Sequence, residues 1–100
     1  MNNDYELLQM FLRQFFNYED YVIAISKAKQ KIVAQQAYRQ NWVKISSAIC
    51  NQSLLPGQPL QLVHYDANQV INENSDQEAY VWLEQMVKNV ERTDGVIKRY

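Results

Sequence analysis

From residue 18 to residue 53 the chain contains neither glycine nor proline. Nothing in that span forces the backbone out of a helix, because the two residues that break helices most strongly are absent. The whole sequence holds two glycines and two prolines, and three of these four crowd into Pro56-Gly57-Gln58-Pro59. Punctuation this sparse and this localised predicts a mainly α protein with one clear interruption.

Helical periodicity fills in the pattern. Tyr5, Leu8, Phe11, Leu12, Phe15 and Phe16 fall within one arc at 3.6 residues per turn, with Glu6, Gln9, Arg13 and Gln14 opposite. This predicts a helix over residues 4–16. Asn3, three residues before Glu6, is placed to cap it, and Asn17 to end it and cap the next. In the span without breakers, Tyr21, Ile25, Ala28 and Ile32 form one apolar stripe, and Tyr38, Trp42, Ile45 and Ile49 form a second. At ~100° per residue the second stripe is rotated by roughly a quarter turn from the first. A straight helix would turn half of that surface sideways, so a bend or a division into two helices is expected between Gln35 and Asn41.

Beyond Pro59, residues 60–65 alternate, with Leu60, Leu62 and His64 on one side and Gln61, Val63 and Tyr65 on the other, which reads as an extended segment. Asp66 with Gln69 is placed to start a short turn of helix through Ile71, and residues 72–74 form a polar link. Ser75-Asp76-Gln77-Glu78 fits a capping box directly before an apolar-periodic run: Ala79, Trp82, Leu83, Met86, Val87 and Val90. A helix over residues 76–91 follows, with Gly95 suited to stop it and residues 96–100 left as a short tail. The expected architecture is one domain over residues 1–100: a bundle of three to four helices with a short extended segment around residues 60–65.

Composition narrows the function classes. With 47% hydrophobic, 21% charged and 12% aromatic residues, the chain can build one core. Its net charge of −1 is unlike that of a general polyanion binder. The densest apolar run, residues 21–25, is far shorter than the ~18 residues needed to span a bilayer. The opening Met1-Asn2-Asn3-Asp4 lacks the basic start and apolar run of a secretory signal. A single cysteine, Cys50, excludes an internal disulfide framework and suits the reducing cytoplasm. One cysteine and one histidine cannot make a zinc cage alone, and no cofactor motif is present. Cys50, His64 and Asp66 are of the types that make a nucleophile, a base and an orienting acid. Their spacing matches no signature and no Gly-rich turn presents Cys50, so a buried inert thiol and a hydrogen-bonded histidine are expected, with no catalysis.

Charge is distributed less ordinarily. Residues 21–50 hold Lys27, Lys29, Lys31, Arg39 and Lys44 and no acid, whereas residues 51–87 hold Asp66, Glu73, Asp76, Glu78 and Glu84 and no base. Either the two blocks pack together and cancel, or the exterior is polarised and steers a partner. Asp76 and Glu78 also suit the positive end of a helix dipole. Tyr65 and Tyr80 flank the acidic block, and tyrosines are favoured in protein interfaces. Residues 27–44, with Tyr38 and Trp42 among the cations, offer a nucleic-acid surface, an alternative that the overall charge disfavours.

A small helical domain without catalytic equipment, with polarised charge and seven tyrosines, resembles the small immunity proteins of bacteriocin and contact-dependent growth inhibition systems. The resemblance is one of size and general character over the whole chain. It implies a one-to-one complex with a cognate toxin domain, often a nuclease, whose substrate site the immunity protein covers. The charge argument then names Tyr65, Asp66, Glu73, Asp76, Glu78, Tyr80 and Glu84 as the contact set, with the acids imitating substrate phosphates. A homo-oligomeric helical adaptor is the alternative.

Overall fold

The computed structural model describes residues 3–67 and 75–92. Among them are five helices and no strand: α1 (Asn3–Phe15), α2 (Tyr21–Ala34), α3 (Gln36–Cys50), α4 (Gln58–Gln61) and α5 (Asp76–Glu91). A π-helical turn, Leu62–Asp66, continues α4 without a break. The proposed turn through Ile71, the polar link, Gly95 and the tail lie outside the described residues.

The long segment divides as its two stripes require. α2 ends at Ala34, Gln35 takes an extended conformation (φ −126°, ψ 125°), and α3 starts at Gln36. No glycine or proline makes this joint. It is closed from the far side by Arg39, whose Nη1 donates to the carbonyls of Val33 (2.7 Å) and Ile32 (3.3 Å). A guanidinium there satisfies orphan carbonyls at the negative end of α2. At the start of α2 the cap is Asp20, whose carboxylate accepts from the Val22 N–H at 3.2 Å. Asn17, expected in that role, instead donates through Nδ2 to the carbonyls of Tyr65 (3.3 Å) and Asp66 (3.1 Å).

Residues 60–65 are helical, not extended, and the helix count is accordingly higher than three to four. Pro59 sits in the first turn of α4, where its missing N–H removes no helical bond. From there Pro59, Leu62, Val63, Asp66 and Ala67 are buried. Their spacing of three and four is a helical stripe; the alternation of Leu60, Leu62 and His64 was a coincidence of composition. The Ala67 N–H reaches the Leu62 carbonyl, five residues back, at 2.8 Å, which widens the turn.

The core joins all five helices. Leu8, Leu12, Ile25, Ile49, Leu62, Leu83 and Met86 are fully buried. Aromatic rings pack between the helices: Phe11 lies 5.4 Å from Trp42, and Phe16 lies 5.8 Å from Tyr21 and 5.7 Å from Trp82. Such tilted and edge-on pairs add about 0.5–1.5 kcal/mol each beyond the area they bury. Among the described residues no helix is long and apolar enough to cross a membrane.

Candidate functional site

The six described residues of the expected contact set separate into inward and outward groups. Asp66 is 3% exposed, and its Oδ1 accepts from Arg13 Nε at 2.6 Å. A buried carboxylate needs such a partner, and α1 supplies it while the rest of the arginine stays in water. Tyr5 lies beside this pair, donating to Gln61 Oε1 at 3.0 Å and accepting from Gln9 Nε2 at 3.2 Å. Burial raises the Tyr5 phenol above its ordinary value; the Asp66 carboxylate adds to this and the Arg13 charge opposes it. Asp66 thus fastens the π-turn to α1 and is not a surface acid.

Tyr80 is a core residue as well. It is 6% exposed, and its hydroxyl oxygen accepts from the Leu54 N–H at 3.1 Å. Burial raises its pKa, the Leu54 bond works against that, and the Asp76 carboxylate adds to it. Asp76 acts across the fold: Oδ2 accepts from the Gly57 N–H at 2.8 Å and Oδ1 from the Leu60 N–H at 3.4 Å. α4 has no cap of its own, so the first turn of α5 provides one. Gly57 leads into it at φ +86°, a conformation that favours glycine.

Three members face outward. Tyr65 is 73% exposed, Glu78 is exposed and Glu84 is half-buried. At ~100° per residue Glu78 and Glu84 flank the exposed Val81 on the outer face of α5, and Lys88 shares that face. The Glu78 N–H donates to Ser75 Oγ at 3.3 Å, the expected N-cap of this helix. Glu73 lies outside the described residues.

Two ion pairs join described residues, Arg13 with Asp66 and Lys27 with Glu19 (2.8 Å). Neither connects the basic block of residues 21–50 to the acidic block of residues 51–87. Lys27, Lys31, Arg39 and Lys44 are exposed and Lys29 is half-buried.

The thiol, imidazole and carboxylate do not form a relay. Cys50, expected to be buried, is instead exposed at the last position of α3, Asp66 is committed to Arg13, and the π-turn packs on α1, α4 and α5. His64, expected to be hydrogen-bonded, instead has its Nε2 buried without a hydrogen-bond partner. Among the described residues no three His, Cys, Asp or Glu side chains are grouped to hold a metal ion.

One surface feature was not expected. Two grooves open on the outer side of α1, separated by a hydrogen bond from Gln14 Nε2 to the Tyr38 hydroxyl (2.7 Å). One, of about 230 Å³, lies between α1 and α3; the other, of about 430 Å³, lies between α1 and the end of α2. The available signal was Leu7 and Met10, apolar residues off the core stripe of α1 and three positions apart.

No protein-family model matches the chain, and neither curated proteins nor solved structures provide a match.

Proposed function

We propose that the chain is a non-catalytic protein-binding domain, an immunity protein that neutralises a cognate toxin by covering its active site. The observation that supports this reading is that neither ion pair among the described residues joins the basic block of residues 21–50 to the acidic block of residues 51–87. A polarised exterior accelerates encounter with a complementary partner and fixes its orientation. On the outer face of α5, Glu78 and Glu84 present carboxylates around Val81 with Lys88 beside them, and on the π-turn the exposed Tyr65 presents a ring of the type that anchors interfaces. A cationic cleft, such as one that binds phosphates, is the partner surface these groups fit. Asp66, Asp76 and Tyr80 contribute by holding the framework.

The test begins with the purified chain as bait in extract of the cells that make it. The reading requires a partner retained one-to-one, toxic when expressed alone and harmless when co-expressed with this chain. A partner that remains toxic overturns it. So does a chain that sediments as a homo-oligomer and retains nothing, the behaviour of a self-associating adaptor.

A further inference from the structure

We infer that the paired grooves on the outer side of α1 form a second recognition surface, whose occupant is an acidic, amphipathic segment of a protein. The surface is distinct from the α5 carboxylates and does not depend on the immunity reading. Its two halves differ in chemistry. Between α1 and α3 the lining is uncharged: Leu7, Met10, Ala37 and Tyr38 supply apolar surface and Asn41 an amide. Between α1 and α2 it carries Lys27 and Lys31, with side-chain amides from Gln30 and Gln35. Among the described residues no carboxylate lines either half. Lys27 is held by Glu19 at 2.8 Å, whereas Lys31 carries no ion pair among the described residues.

An occupant must therefore offer apolar groups at one end and negative charge at the other. Met10 is 68% exposed, and a flexible thioether can adjust to an apolar anchor. Gln14 marks the boundary, its amide committed to Tyr38. From Leu7 to Gln14 the surface runs about 10 Å along α1, the length covered by two turns of a partner helix. Charge complementarity selects an acidic segment over a basic one, because a basic segment would meet Lys31 with no compensating acid in the lining.

The experiment selects displayed random peptides of about twelve residues against the folded full-length chain, then measures a winning peptide by fluorescence anisotropy and amide chemical shifts. Winners should pair aspartate or glutamate with apolar anchors and shift Met10, Lys31 and Ala37. Lys31→Glu and Met10→Asp, both at exposed positions, should each weaken binding roughly tenfold with helical content unchanged. Glu78→Lys with Glu84→Lys should leave the peptide's affinity unchanged, so the fate of this surface and that of the immunity reading are separable. Winners without acids, no winners, or equal binding to Met10→Asp would overturn the inference. Displacement of the peptide by decanoate at submillimolar concentration would overturn it too, reassigning the grooves to a small anionic amphiphile.

Discussion

Asn89, with no exposed surface, donates through Nδ2 to the Tyr21 hydroxyl at 2.8 Å, a polar link between α5 and the first residue of α2 inside the core. Removing one member of a buried pair leaves the other without a solvent to replace it. Asn89→Leu should therefore cost about 1–3 kcal/mol in urea unfolding. The double variant with Tyr21→Phe should lose less than the two single losses added together. Strict additivity would mean that the pair is not energetically coupled.

The Arg13–Asp66 pair is lopsided, with an arginine side chain 64% exposed and an aspartate 3% exposed. Removing the arginine strands a buried carboxylate; removing the carboxylate returns the guanidinium to water. Arg13→Met should cost about 1–3 kcal/mol and Asp66→Asn less, as read from urea midpoints. The reverse order would show that the carboxylate is stabilised mainly by other groups.

Tyr80 sets an alkaline limit. Its folded pKa is raised above 10.0 because burial disfavours the phenolate. The unfolded chain thus releases this proton first, so the stabilisation is complete below pH 10 and declines as pH rises through the higher folded value. Unfolding free energy should fall from about pH 10 upward, and Tyr80→Phe should flatten that fall. At neutral pH the same variant should cost about 1–3 kcal/mol, because the Leu54 N–H loses its acceptor.

Among the described residues two positions have positive φ, Gly57 at +86° and Gln52 at +50°. A methyl group at Gly57 would meet no neighbour within 4 Å, so the cost of Gly57→Ala is one of backbone conformation alone. It should destabilise by about 1 kcal/mol, and Gln52→Gly should be neutral or stabilising by up to about 1 kcal/mol. Thermal unfolding should show a lower midpoint for Gly57→Ala and an unchanged or higher one for Gln52→Gly.

For the proposed inhibitor, Glu78→Lys with Glu84→Lys should slow association with the captured toxin roughly tenfold at low ionic strength. The difference should shrink as salt screens it. An association rate unchanged at low salt would remove the α5 carboxylates from the interface.

Much of the fold was legible because apolar spacing and caps act locally. Ser75 caps α5 as its spacing implies, and the rotation between the stripes of α2 and α3 requires a joint between Gln35 and Asn41, which the structure has at Gln35. Residues 60–65 are ambiguous because Leu60, Leu62 and His64 alternate as a strand would, while the buried set Pro59, Leu62, Val63, Asp66 and Ala67 is helical only once Asp66 counts as an inward residue. The expected contact set was less legible for a related reason. Whether an aspartate faces water depends on partners distant in sequence, and Asp66 and Asp76 find theirs 53 and 16 residues away. Composition placed the charges along the chain, but tertiary packing decided which of them remained outside.

A joint of one residue transmits rotation as a gear does. Because Gln35 alone separates α2 from α3, adding or deleting a residue there would swing α3 by about 100° about its axis. Trp42 would then turn away from Phe11, and Arg39 would lose its grip on the preceding helix. The chain between these two helices has no slack, so length variation in this protein must be accommodated elsewhere.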